Sequence, residues 1–599
     1  LLSKKLRLEE VLEFPKIYKL YKEVLRNMKQ RLIWFLVSLL IFSSLSIVGA
    51  YGATLGTGWG WTLPGHYNPY VPGYIGFGGL IEEPLAYYIR MTDNFLPRLA
   101  VKWEETPSKV TVHLRQNVFW HDGEPFTSKD VVTSFLIGRL FGWDVWRYLK
   151  DIKAQDNYTV VFLLDPKQPN IFVTRWILTV RPQPDHVWGS LLPTNIKTLI
   201  TKNDEKQLGE IRTKIMAYRP EKPVGTGPFM LKSITTGEAL LDKFPKHWQA
   251  NQISIDSVRV YRHLAAEASW ASMFAGEIDY EWPGSPPTIQ EEWLKRSGNK
   301  MVLPSDVSFY GLYFNCDRYP LSIKEVRQAL AYAIDRKEVT QVALPVGTPV
   351  DVPTGILLEV VDKWLPKDVQ KDLNPYSYNP DKAESILKSL GFKKDQEGWT
   401  TPKGTKFALE IITPAGWADW ARQAENVASQ LGKIGIKVDV RVIDQTPFWD
   451  REHRGDFDMA CGWFGFWDFH PYFGFNGFFR EYNGFLPPTY ARPTYKGVGF
   501  GPEVEVSGIG KVNIPDTVIK LQTTKSFKDQ QKLIIALAKA FNEYLPGLPT
   551  LEKRLQLFYS TNRITGWPPE DNPLWYNAPG DAPSVLALLI SEGYLKPAK

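Results

Sequence analysis

The sequence predicts an α/β fold, because strand-like and helix-like patterns alternate along its length. Val110–Arg115 (VTVHLR) alternates apolar and polar residues, as a half-buried strand does. Leu409–Thr413 and Val438–Val442 are strand-like and flank a helical stretch from Trp420 to Lys433, a βαβ unit in outline. Asn379-Pro380-Asp381 opens another helix with a cap followed by proline, and Gly391 closes it.

From the amino end, residues 28–53 read as a signal peptide. Lys29 and Arg31 precede an apolar stretch from Leu32 to Ile47, and small residues end at Ala50 or Ala53. Residues 1–27 are mixed in charge and are read as an upstream extension. The alternative is an uncleaved membrane anchor, since the stretch approaches the ~18 residues a spanning helix needs. After the strand at 110–115, His121-Asp122-Gly123 forms a turn, and Ser128 or Asp130 caps a helix through Val131, Phe135 and Ile137. Ile386, Leu387 and Leu390 share one face of their helix. A last long helix begins near Ser526, with Asp529 in a variant capping box and Leu533, Leu537 and Phe541 on one side. Asn483–Asn513, rich in Gly, Pro and Tyr, lacks periodicity and reads as a long surface excursion.

Composition excludes several classes. The 599 residues hold two cysteines, Cys316 and Cys461, too few for a disulfide framework or a Cys-rich metal site. They read as two thiols, with a single bridge as the alternative. Residues 1–31 carry nine Lys/Arg against four Glu, which accounts for five of the six formal positive charges. The remainder is nearly neutral and shows no basic stripe, so nucleic acid is not an expected partner. Aromatics are plentiful, with 22 Trp, 27 Tyr and 32 Phe, and Trp and Tyr suit amphipathic ligands.

Five motifs, in one order, resemble the family 5 extracellular solute-binding proteins, which include dipeptide-, oligopeptide- and nickel-binding members. They are HLRQNVFWHDGEPFTSKDVV (113–132), VGTGPF (224–229), FNCDRYPLSIKEVRQALAYAIDRKEV (314–339), YNPDKAESILKSLGF (378–392) and the Gly-Asp-Phe-Asp and Gly462-Trp463 segment within 424–463. The resemblance implies a two-lobed periplasmic-binding-protein-like fold of the class II type, with a ligand cleft between the lobes. Lobe I would take 54–82, 223–305 and 555–599, an inserted domain 83–222, and lobe II 306–554. Crossing strands would lie near Ser308–Phe314 and Gln556–Ser560. The implied partners are a small ligand and the membrane permease of an ABC importer. The implied place is the periplasm or cell exterior, and the implied state is a monomer without cofactor or metal.

The expected ligand is a linear oligosaccharide, whose apolar sugar faces would stack on aromatic planes while its hydroxyls meet polar edges. Candidate ligand-binding residues are Trp59, Trp61, Trp282, Trp417, Trp420, Trp463, Trp467, Asp468 and His470. Trp417 and Trp420, three apart at a helix start, serve core packing equally well. The alternative ligand is an oligopeptide, with Asp468 pairing with its amino terminus as the resemblance implies. Enzyme motifs are missing: there is no His-Glu-x-x-His, no Gly-x-Ser-x-Gly and no Walker loop. A glycoside hydrolase, the rival an aromatic cleft raises, would need two carboxylates about 5–9.5 Å apart. Glu277, Asp279 and Glu281 are instead read as facing solvent or a lobe surface. His470 is a lone histidine, which suits a hydrogen bond better than a metal.

Overall fold

The computed structural model describes residues 53–59, 65–464, 468–485, 496–577 and 582–598. The expected signal peptide, apart from Ala53, and the upstream extension lie outside them, as do Trp61 and Trp467. Among the described residues no helix is long and apolar enough to cross a membrane.

Three sheets organise the chain. A seven-stranded sheet runs in the order 299–302, 557–560, 280–281, 54–58, 257–261, 238–243, 229–234. Thr54–Gly58 lies parallel to Ser257–Tyr261, and Thr57 pairs with Tyr280. A six-stranded sheet has the order 348–349, 547–554, 305–314, 459–464, 408–414, 437–443. A four-stranded antiparallel sheet (100–106, 109–114, 159–164, 149–156) completes the set, and its strands fall within the segment 83–222. The first two sheets each pack their own apolar core. The chain passes between them over two residues at 303–304 and again over two at 555–556. Leu555 N–H donates to Pro304 O across these connections at 2.9 Å. The two lobes are thus joined by two short, paired crossings.

Local signals explain much of this. Ala408–Pro414 and Lys437–Ile443 pair in parallel, with Leu409 opposite Val438, and the helix Ala418–Lys433 crosses between them. Asn379 caps the helix Pro380–Ser389, and Gly391 takes φ +84° where the chain turns away. Ser526 caps Phe527–Tyr544, accepting from the Asp529 N–H.

Several expectations need correction. Neither Ser128 nor Asp130 caps its helix: Thr127 does, and the Asp130 side chain accepts from the Thr127 N–H at 2.6 Å to close a capping box. The excursion at 483–513 contains a hairpin, Glu503–Val506 with Gly510–Asn513, turned at two positive-φ glycines, 508 and 510. The two cysteines are free thiols, as expected, with Cys461 buried and Cys316 half-buried. Asp279 and Glu281 do not face solvent. Asp279 is buried, accepts from Gly56 N–H at 2.8 Å and pairs with Arg563 at 2.7 Å, so it ties neighbouring strands together.

Candidate functional site

A cavity of about 890 Å³ lies between the two large sheets, beside the crossing segments. Period two builds one wall: Asp306, Ser308 and Tyr310, on the strand Ser305–Phe314, all line it. Val307, between them, is buried with φ +54°, a strained conformation for a β-branched residue, where the strand's pairing shifts register. Ser308 Oγ donates to Asp306 Oδ2 at 3.1 Å. Lys553 Nζ, from the neighbouring strand, stands 3.6 Å from the same oxygen and 5.1 Å from the Tyr310 ring centre. Burial raises the Asp306 carboxyl above its ordinary pKa, with Lys553 opposing. Burial works against the Lys553 ammonium, but Asp306 and then Tyr310 hold its pKa above the usual lysine value.

Tryptophans form the next wall. Trp417 stacks on Trp463 with ring centres 5.6 Å apart and planes at 26°, and both line the cavity. Trp463 reaches that position because Tyr310 is its strand partner. Asp419, in the first turn of the helix Ala418–Lys433, lines the same space, and its Oδ1 accepts from Trp420 N–H at 3.0 Å. Arg422, one turn on, donates from Nη2 to Ala343 O at 2.8 Å. The facing lobe supplies Trp270, Ser285 and Gln556, the last accepting from Ser285 Oγ at 2.6 Å.

The expected site residues divide sharply. Trp417 and Trp463 line the cavity. Trp420 is fully buried behind them, edge-on to Trp417 at 4.7 Å, so its three-residue offset turns it into the core. Trp59 donates its N–H to Tyr261 O at 2.7 Å and sets its ring against Phe77, and Trp282 packs beside Tyr280; neither lines this cavity. Asp468 pairs with Arg175 of the 83–222 segment and borders a separate cavity of about 450 Å³. His470 caps the helix Pro471–Asn476 through Nδ1, and burial lowers its pKa to about 4. Among the described residues no group of His, Cys, Asp and Glu is arranged to hold a metal. Sequence reading missed Asp306, Ser308, Tyr310, Asp419 and Lys553. The alternating Asp-x-Ser-x-Tyr was the available signal, masked by the apolar run around it.

The family model for bacterial extracellular solute-binding proteins, family 5 (middle region), matches residues 94–485. Oligopeptide-binding protein AppA of Bacillus subtilis is 26% identical over 399 residues, covering 64% of this chain and 68% of that protein. The dipeptide-binding protein of Escherichia coli is 24% identical over 404 residues, with 62% of this chain and 68% of its own length aligned. Among solved structures, a periplasmic oligopeptide-binding protein of Thermotoga maritima, crystallised with mannohexaose, superposes with a TM-score of 0.70. It shares 24% identity and covers 91% of this chain and 99% of its own, a likeness of fold. The relatives are named for peptides, which overturns the expectation of an oligosaccharide carrier. The cavity gives a physical reason: Glu267, Asp306, Asp419, Arg422 and Lys553 share its otherwise apolar wall, charges of both signs that a neutral sugar does not match. The chain therefore belongs to the bacterial extracellular solute-binding proteins, family 5, as the two-lobed, non-catalytic binding component of an ABC importer, with its ligand cleft between the lobes.

Proposed function

We propose that this chain captures short oligopeptides outside the cell membrane and delivers them, as a monomer, to its permease. One observation carries the reading: the cleft sets Asp306, Asp419 and Glu267 alongside Lys553 and Arg422, between apolar walls that include Trp270, Trp417 and Trp463. A peptide presents an ammonium, a carboxylate and apolar side chains within a few ångströms, and needs such a mixture. At about 890 Å³ the cavity falls within the ~300–1,000 Å³ usual for small-ligand sites, room for a few residues.

Asp419 takes the ammonium in this reading. Asp306 is held by Lys553 and Ser308, and Asp468 by Arg175, whereas Asp419 accepts only from its neighbour's N–H among the bonds described. Trp417 and Trp463 cover an apolar side chain. Lobe I is proposed as 54–82, 223–305 and 555–599, the inserted domain as 83–222 and lobe II as 306–554, closing about the crossings at 303–304 and 555–556. Ligand contacts made from both lobes exist only in the closed form, so binding favours closure.

Thermal-shift titration with di- to hexapeptides, free and N-acetylated, tests the reading. Saturation at 100 times the dissociation constant should stabilise the protein by about 2.7 kcal/mol. Free peptides should shift the melt, acetylated ones should shift it less, and Asp419→Asn should erase that difference. No shift with any peptide would end the proposal.

A further inference from the structure

A further cavity, of about 580 Å³, opens where residues 143–180 meet residues 472–522, away from the cleft just described. It shares no lining residue with that cleft. Two arginines face into it from opposite sides. Arg147 comes from the 3₁₀ turn Asp144–Arg147, and Arg480 from a single π turn, Gly477–Glu481, a backbone form often found at functional sites. Arg480 Nη1 donates to Asn476 Oδ1 at 2.8 Å, but its Nε is buried with no hydrogen-bond partner. Arg147 Nη2 is likewise buried without one, standing 3.4 Å from Asp144 Oδ1 as a loose ion pair. Burial depresses the Arg480 pKa, the hydroxyls of Tyr472 and Tyr148 oppose this, and the Arg147 charge adds to the depression. Two arginines, each with a buried N–H that lacks a hydrogen-bond partner, therefore line one space together with Asp144 and Glu481, and the remaining wall includes Trp143, Tyr148, Tyr472 and Ile519.

Buried donors left without an acceptor cost free energy, so the two free guanidinium N–H groups favour an acceptor between them. A guanidinium fork matches a carboxylate in plane and spacing, and flat aromatic walls accept an apolar body. We propose that this cavity is a second ligand site, taking an organic carboxylate with an aromatic or apolar body held between Arg147 and Arg480. Arg147 and Arg480 lie in 83–222 and 306–554, segments proposed above to belong to different lobes, so a carboxylate held by both would also favour the closed form. The inference does not rest on the peptide reading of the main cleft.

The test is calorimetric titration of the full chain, in low-salt Tris buffer, with N-acetylphenylalanine and with its neutral amide. The acid should bind at least about tenfold tighter than the amide, and Arg480→Gln and Arg147→Gln should each weaken the acid about tenfold or more. Arg480→Lys, which keeps charge and loses the fork, should fall between. An N-acetylated tetrapeptide ending in phenylalanine separates the sources of the carboxylate. If Arg480→Gln weakens it too, the site takes a peptide's carboxyl terminus; if only N-acetylphenylalanine responds, it takes a free carboxylate. Equal binding of acid and amide, or no binding of the acid up to ~10 mM, overturns the proposal. So does an acid affinity that neither substitution changes. Should Arg480→Gln fail to fold by circular dichroism, Arg147→Gln, on a partly exposed turn, decides alone.

Discussion

Replacing Lys553 with Met removes the cation that holds Asp306 in the cleft wall. The pair stands 3.6 Å apart, with 27% and 11% of the two side chains exposed. At that distance and an effective dielectric near 20 the gross attraction is roughly 4–5 kcal/mol, much of it offset by desolvation. Losing one partner of a buried pair costs about 3–5 kcal/mol when the other charge is stranded. Here Ser308 still donates to Asp306, and protonation offers the carboxyl an escape, so about 2–3 kcal/mol at pH 8 is expected. The sign follows from the raised pKa of Asp306, which rises further without Lys553. Stability from a raised acid is complete below its unfolded pKa and is lost as pH rises through the folded one. Lys553→Met should therefore cost less at pH 5 than at pH 8, and Asp306→Asn in the same chain should recover most of the loss. Urea unfolding of the ligand-free protein at both pH values measures this. A loss independent of pH, or a double variant as weak as Lys553→Met alone, would refute the reasoning.

Burial works against the Glu83 carboxylate, yet Arg98 and His247 draw its pKa from 4.5 down to about 2. A depressed acid stabilises above its unfolded pKa and loses that stability as pH falls toward the folded one. Glu83→Gln should thus cost up to about 3 kcal/mol at pH 7 and progressively less below pH 4.5, as acid unfolding curves would show. Trp420→Ala should cost about 3–5 kcal/mol of stability, because the ring is fully buried. Trp463→Ala, on the cavity wall, should instead weaken peptide binding with a smaller change in melting; equal stability losses would place both in the core. The Arg175–Asp468 pair joins the 83–222 segment to the other lobe. Arg175→Gln and Asp468→Asn should each weaken peptide binding about tenfold, and a double-mutant cycle should show coupling above ~1.5 kcal/mol. Coupling near zero would deny the pair a part in closure.

Local features were legible where neighbours in sequence decide them. The βαβ unit at 408–443 follows from two alternating strands around an amphipathic helix. Asn379 and Ser526 act as caps because their side chains meet N–H groups three residues ahead. The cap at Thr127 was misread as Ser128 or Asp130, since Thr127 and Ser128 carry the same chemistry and Asp130 takes the other half of the capping box. The cleft was far less legible. Lys553 meets Asp306 from 247 residues away, through a strand pairing no local pattern discloses. Trp417 and Trp420 look alike in sequence, but helix rotation sends one to the cavity and the other to the core. Asp468 lies in a readable aromatic loop, yet its partner Arg175 comes from the inserted segment.

The most direct test of peptide capture is native mass spectrometry of the protein after incubation with a tryptic digest of an unrelated protein. The account predicts retained masses that match short peptides of the digest, diminished in Asp419→Asn and likewise diminished when the digest is N-acetylated. Retention of no peptide mass, or only of masses spaced by a hexose unit from added sugars, would contradict it.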